Sequence, residues 1–270
     1  EGSTKLEGGM ESQDIFVEVG HGPTLIDNNI MLSRYGLLVA TEGVAMVHNL
    51  ILGAFTMVGS GVDNWVDGRE QRRYTPYHIR HRTEVAGMMT ILHGDNRFYN
   101  NIFVQGHPIT NEEPKESPFY QQVGTHVWDE YPTYKEWIAK FDMEEEKPDM
   151  GKLEPAHFSH LPVWADGNVY LAGAKAWKKE KHNLVKDDAD VQIELVEEDG
   201  QYRLSTNLYD YLDGFTTGII NSDVLGKAFE PEQRFEERDG SDIVFQSDYL
   251  GNHRGVSTIP GPFADVKELD

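Results

Sequence analysis

The segments IDNNIML (26–32), MVHNLIL (46–52) and RFYNNIF (97–103) share one short pattern: an asparagine, Asn29, Asn49 or Asn101, stands in front of an apolar, strand-like run. The first two asparagines are 20 residues apart. A repeat of that length, with a strand and a turn in each unit, is the mark of a parallel β-helix or a leucine-rich solenoid. Regular leucine spacing is missing, and β-branched and aromatic residues are common, so the β-helix is the reading adopted. Stacked coils are ~4.8 Å apart. Equivalent asparagine side chains can then form a ladder that satisfies the backbone groups of the turns.

A second set of segments supports this register. VEVGHG (17–22), LVATEG (38–43) and ILHGDN (91–96) each run from an apolar strand into a turn. Aligning Gly22 with Gly43 sets Glu18 over Val39. The 52-residue gap from Asn49 to Asn101 then reads as one coil plus an excursion over 53–87. Excursions from a solenoid leave on one face, which is often the binding face.

The texture changes after residue 105. Residues 1–105 are expected to hold β-helix coils, and 106–158 an irregular connection with a helix over 133–141. There Thr133 and Glu136 fit a capping box, and Tyr134, Trp137, Ile138 and Phe141 recur at helical spacing. The acidic stretch 142–155 reads as a linker. Residues 159–270 are expected to form a β-sandwich-like module. Within it, VQIELVEE and QYRLSTNL flank Asp199-Gly200 with period-2 alternation, a hairpin signal.

Composition narrows the chemistry. The chain has 270 residues, no cysteine, and 46 Asp+Glu against 24 Lys+Arg. Thiolate metal sites and disulfides are thereby excluded. Such an acidic surface repels nucleic acid and anionic membranes, and suits a neutral substrate such as a sugar. No apolar run approaches the ~18 residues of a membrane span. Neither a phosphate-binding glycine loop nor a G-x-S-x-G elbow is present. No cofactor or metal is expected, and a cytoplasmic or cell-associated location is favoured.

Several residues could carry chemistry. Glu18 sits among Ile15, Phe16, Val17 and Val19. If Phe16, Glu18 and Gly20 share a strand face, Glu18 projects beside an aromatic ring, surroundings that suit a general acid. The plainer reading is a solvated strand glutamate. The run 72–87, RRYTPYHIRHRTEVAG, gathers Arg72, Arg73, Tyr77, His78, His81 and Glu84. This set could bind sugar hydroxyls, with Trp65 stacking on a pyranose face, or it could be a surface loop held by salt bridges. His78 and His81 lack a zinc-protease spacing. His21, His93 and Asp95 fall near turn positions, where they line Glu18's face or simply cap turns. Trp128, Trp164 and Trp177 read as core or interface residues.

Taken together, DIFVEVGHGPTLIDNNIMLS (14–33), GVAMVHNLILG (43–53), RYTPYHIRHRTEVAG (73–87) and GDNRFYNNIF (94–103) resemble the C-terminal half of the β-xylosidases of glycoside hydrolase family 120. GNVYLAGAKAWKKEKHNLV (167–185) and SDYLGN (247–252) resemble that family's closing module. The resemblance implies an all-β fold: right-handed parallel β-helix coils, then a β-sandwich-like module, with one or two short helices. It also implies retaining hydrolysis of β-1,4-xylosides, with Glu18 as general acid/base and His21, Trp65, Tyr77, His78, His81, Glu84, His93 and Asp95 as substrate-binding candidates.

The family's nucleophile is an aspartate about one coil upstream of the acid/base. Of the acids before Glu18, which are Glu1, Glu7, Glu11 and Asp14, Asp14 is four positions away on the same strand, roughly 13 Å off. Retaining enzymes need ~5–5.5 Å. The expected partners are therefore a xylo-oligosaccharide or related neutral sugar and a second chain or segment carrying the upstream coils, with homo-oligomerisation left open. A non-catalytic carbohydrate-binding β-helix protein is the alternative. A polysaccharide lyase, served by Arg72, Arg73, Arg80 and Arg82, is a further one.

Overall fold

Short apolar runs interrupted by Asn, Gly and Asp favour strands that turn often rather than helices. The computed structural model describes residues 13–57, 65–66, 69–70, 73–109, 121–141 and 150–265. Its first circuit of chain lays down β1 (Ile15–Glu18), β2 (Thr24–Asp27) and β3 (Ile30–Met31). The second lays down β4 (Tyr35–Ala40), β5 (Val44–Val47) and β6 (Leu50–Ile51). A third opens with β7 (Ala54–Met57). Two antiparallel hairpins interrupt it: β8 (Trp65–Val66) with β9 (Arg69–Glu70), and β10 (Tyr74–His78) with β11 (Val85–Thr90). It closes with β12 (Asn96–Tyr99) and β13 (Ile102–Val104). Then β14 (Val163–Asp166), β15 (Asn168–Leu171) and β16 (Asn183–Lys186) follow.

These strands form three parallel sheets, ordered β1-β4-β7, β2-β5-β12-β14 and β3-β6-β13-β15-β16. The side chains between the sheets come from alternate positions, as a period-2 strand requires. Leu37, Val39, Val44, Met46, Ile51, Phe55, Phe98 and Phe103 share one buried cluster. Its aromatic rings meet closely, with Phe98–Trp128 centroids 4.6 Å apart and Phe103–Tyr170 stacked at 5.1 Å. Each such fully buried side chain contributes about 1.5–3 kcal/mol of transfer free energy.

The asparagine ladder is present and longer than the sequence pattern suggested. Asn29 N donates to Asn49 Oδ1 (2.9 Å), Asn49 N to Asn101 Oδ1 (2.9 Å), and Asn101 N to Asn168 Oδ1 (3.0 Å). The last rung ends on a carboxylate, with Asn168 Nδ2 donating to Glu180 Oε1 at 2.8 Å. Burial pushes Glu180 up to about 7, against the donors Tyr170 and Asn168 that favour its charge.

The fourth rung explains one departure from expectation. The reading from sequence placed 159–270 in a separate sandwich, but β14 pairs with β12 and β15 with β13, so the parallel sheets continue to residue 186. Ala54–Met57 likewise belongs to a sheet rather than to the excursion, because it pairs with β4. Ile91 and Leu92 are buried without being strand. Among the described residues after 190, antiparallel pairing is limited to the hairpin β17 (Ile193–Glu198) with β18 (Gln201–Thr206), one two-residue pair and isolated bridges. The hairpin turns at Asp199-Gly200, both with positive φ, as its sequence predicts. Instead of forming a sandwich, this region clads the outer faces of two sheets. Ile220, Phe235 and Phe245 cover Ala45 and Val47, while Leu204, Leu208 and Phe263 cover Leu50 and Ile102.

The expected helix forms as α1 (Tyr134–Ile138) with its Thr133/Glu136 capping box, then tightens into a 3-10 turn through Phe141. A second helix, α2 (Met150–His157), occupies part of the predicted linker. A short third, α3 (Ser222–Leu225), lies within the cladding and is capped by Asn221.

Candidate active site

The first sheet, β1-β4-β7, carries Glu18. Along β1, Ile15 and Val17 pack against the core, whereas Phe16 and Glu18 face outward. Phe16 is 44% exposed, so it and Glu18 share a face open to solvent, but β1 ends at Glu18 and the chain turns at Val19 (φ 56°), which takes the expected Gly20 off that strand. Glu18 stands opposite Ala40, one position from the expected Val39, and Val17 takes that place. The slip arises at the corner. Five residues lie between Glu18 and Thr24, but three between their partners Ala40 and Val44. Gly22 and Gly43 do meet there. A Cβ on Gly22, at φ +74°, would lie 2.5 Å from Gly43 O, so neither corner tolerates a side chain.

The hairpin β10–β11 brings its basic and aromatic side chains onto this corner. The Arg73 guanidinium donates to Glu18 Oε1, fixing where the carboxylate points. Tyr77 meets the edge of the His21 ring, with centroids 6.4 Å apart. Arg73 and Tyr77 of the sequence cluster therefore do reach the Glu18 corner. The rest of that cluster goes elsewhere. His78 Nδ1 is 3.0 Å from Glu84 O, Glu84 takes an ion pair from Arg82, and exposed His81 pairs with Glu236 at 3.0 Å. Trp65 lies on β8, and its side chain, like Arg72, falls outside the described residues.

Behind Glu18 is a buried group of titratable side chains. His21 Nδ1 lies 2.6 Å from Glu42 Oε1, and Glu42 Oε2 accepts from Leu92 N at 2.8 Å. His21 is 5% exposed and Glu42 is fully buried. Burial pulls the His21 imidazole down, but its bond to Glu42, with help from Glu230, outweighs that, and its pKa rises. Burial also raises Glu42, against the pull of His21. Both shifts run the same way, so the pair holds a proton to higher pH than a free histidine would. Thr41 Oγ1 ties in the same corner by accepting from Gly20 N at 3.0 Å.

Asp95, also buried, accepts from Phe229 N at 2.8 Å and pairs with Arg97 at 2.9 Å. Burial lifts it to about 6 in spite of Arg97, with Glu42 adding to the rise. Burial lifts Glu230 to about 7, and the charges of Glu42 and Asp95 push it the same way. His93 is buried at a corner with φ 54°, the turn role that its sequence position allows. Glu42 and Glu230 are not among the residues expected from sequence. Glu42 sits in LVATEG two positions after β4, where the alignment of that corner with VEVGHG sets it over His21. Glu230 comes from a segment 188 residues further on, and no local pattern announces it.

Chemically, the corner offers one outward carboxylate oriented by a guanidinium, and nearby in sequence a buried imidazole–carboxyl pair. Among the described residues no three His, Asp or Glu side chains are grouped to hold a metal ion. No described helix is long and apolar enough to cross a membrane.

No protein-family model and no curated protein matches the chain. A solved structure of XylC in complex with xylose does match, with 32% sequence identity, a TM-score of 0.77, and coverage of 94% of this chain and 36% of that one. The chain is similar to XylC. It spans about a third of the XylC chain's length.

Proposed function

We propose that this chain is the acid/base-bearing part of a retaining glycosidase acting on β-xylosides, with Glu18 as general acid/base. The observation that carries the reading is the match to XylC bound to xylose, which runs through nearly the whole chain. The corner is compatible with the chemistry. Glu18 is an outward carboxylate on an accessible strand, beside an aromatic ring that can meet the apolar face of a sugar. We also read the three parallel sheets as stacked coils of a right-handed β-helix, supported by their fixed order of visits and the four-rung asparagine ladder.

β1 is the edge strand of its sheet among the described residues. A parallel strand added to that edge would set a carboxylate ~4.8 Å from Glu18, close to the ~5–5.5 Å that a retaining mechanism uses. Asp14 cannot serve. It lies at the opposite end of β1 and accepts from Ser33 N at 3.2 Å. The nucleophile is therefore proposed to come from a segment or partner chain that pairs with β1.

The test is hydrolysis of an aryl β-xyloside by Glu18→Gln, with that segment or partner present. Loss of roughly 10²–10⁴ in rate is expected for a missing general acid/base, with partial rescue by azide, which needs no base to attack a glycosyl intermediate. Unchanged hydrolysis would remove Glu18 from the mechanism.

A further inference from the structure

On the second sheet, away from Glu18, Trp164 of β14 stands opposite Arg97 of β12. The Arg97 guanidinium lies over the Trp164 ring at 4.5 Å and over Phe235 at 4.9 Å. A cleft of about 230 Å³ opens at this point. Tyr134 and Trp137 of α1, Trp164, Phe229 and Pro162 wall it, and Asp95 and Arg97 lie at its floor. Tyr134 stacks beside Trp164, with centroids 6.4 Å apart at 25°, and Trp137 meets Phe229 edge-on at 5.3 Å. Tyr134 is 53% and Phe229 38% exposed, so these two rings are not consumed by the core, whereas Trp137 is packed with Leu92 and Leu161. Trp164, which the sequence placed in the core or an interface, is half-buried and faces the cleft.

The floor selects for charge. Arg97 donates to the carbonyls of Leu225 (2.5 Å), Asp95 (2.6 Å) and Lys227 (2.6 Å), and pairs with the Asp95 carboxylate. Asp95 in turn accepts from Phe229 N. Both ions are spent inside the protein, and the cation left among the lining residues is the exposed Lys227. The chain's formal charge of −22 opposes an anionic ligand. The volume lies below the ~300–1,000 Å³ of sites for drug-sized ligands, so it suits a single ring. Aromatic faces carry negative potential that attracts slightly positive C–H groups. The chemistry that fits is a neutral ring with an apolar face and a hydroxylated rim.

We propose that this cleft is a second carbohydrate site, holding one neutral pyranose unit on a different sheet from Glu18. The choice of a sugar, and of a xylosyl unit among sugars, rests on the reading of Glu18's corner; a single ring with an apolar face does not. Such a site would retain a sugar chain or product while the first site acts.

The test is a titration of the full chain with methyl β-xyloside, read by ligand-observed NMR and tryptophan fluorescence. Saturable binding is expected, weakened about fivefold or more by Tyr134→Ala and by Phe229→Ala, the scale of one lost ring contact. Both side chains are exposed, and circular dichroism confirms that each variant is folded. Tyr202→Ala, an exposed ring on β18 outside both sites, is expected to leave this binding unchanged. The proposal is overturned if no saturable binding occurs, if the two aromatic variants bind as the parent does, or if galacturonate binds more tightly than the neutral sugar. Hydrolysis assays separate the two readings. Binding that survives without hydrolysis upholds the cleft against the glycosidase reading, and hydrolysis without cleft binding does the reverse.

Discussion

Replacing Asn101 with alanine removes the middle of the ladder, and the structure sets the cost. Asn101 Oδ1 accepts from both Asn49 N and Asn49 Nδ2 at 2.9 Å, and Asn101 Nδ2 donates to Met46 O (2.9 Å) and Asn168 Oδ1 (3.0 Å). Asn49 and Asn101 are both fully buried, so water cannot replace these bonds. Two donors of Asn49 lose their acceptor, at about 1–3 kcal/mol each, and two acceptors lose a donor at less. Asn101→Ala should therefore cost about 3–6 kcal/mol, a large part of the ~5–15 kcal/mol that holds a typical domain together. Asn29 is the end rung and half-buried, with side-chain donors to Asp27 O and Asn49 Oδ1. Its loss should cost about 1 kcal/mol, because solvent can reach the groups left behind. Equilibrium urea unfolding followed by tryptophan fluorescence measures both, with equal m-values confirming that the same surface is exposed. If Asn101→Ala cost no more than Asn29→Ala, the ladder would be a consequence of the stacking and not one of its causes.

Two more expectations concern buried acids. Glu180 is raised from 4.5 to about 7 by burial, so its protonated form is the one the fold prefers. Its contribution is fully present below about pH 4.5 and is lost as pH rises through 7, on the order of 3 kcal/mol in all. Glu180→Gln should flatten the fall in stability between about pH 5 and pH 8, measured by denaturant midpoints across that range; an unchanged slope would contradict the assignment. Glu42→Ala strips the partner from His21 Nδ1 and from Leu92 N in a fully buried place. It should cost about 3–5 kcal/mol, and Glu42→Gln, which keeps an acceptor for Leu92 N, distinctly less. Equal losses for the two variants would argue that the carboxylate's charge beside His21 matters and its bond to Leu92 N does not.

The ladder shows what sequence can and cannot carry. Asn29, Asn49 and Asn101 were legible because each precedes an apolar run and the first two share a coil length. Asn168 was equally well formed, in GNVYLAG, but an intervening connection of more than fifty residues, 105–162, hid its distance from Asn101. The eye then assigned it to a separate module. The outward setting of Glu18 was legible from period-2 alternation, whereas its partner Ala40 was not. A corner that absorbs two extra residues shifts the register without leaving a mark in either strand. The contacts made by residues 72–87 divide in the same way. Composition identified a dense polar segment, but only the antiparallel register of β10 and β11 decides that Arg73 and Tyr77 turn toward the corner while His78, His81 and Glu84 pair among themselves or with Glu236.

The position of the corner follows from how the outer faces are covered. The second and third sheets bury their outward residues under the chain after residue 200: Ala45 and Val47 under Phe235 and Phe245, Leu50 and Ile102 under Leu208 and Phe263. That burial makes those faces strong and chemically silent. In the first sheet β4 is buried on both faces, Leu38 and Ala40 included, and among the described residues only β1 at its edge keeps exposed side chains. Its outward row begins with Phe16 and Glu18, both exposed, and what approaches it is a polar hairpin that contributes a guanidinium and a phenol in place of an apolar cover. A carboxylate can remain on an outward strand position at little cost only where such a face is left open. All three sheets therefore contribute to the core, and one edge strand, β1, is left to present Glu18.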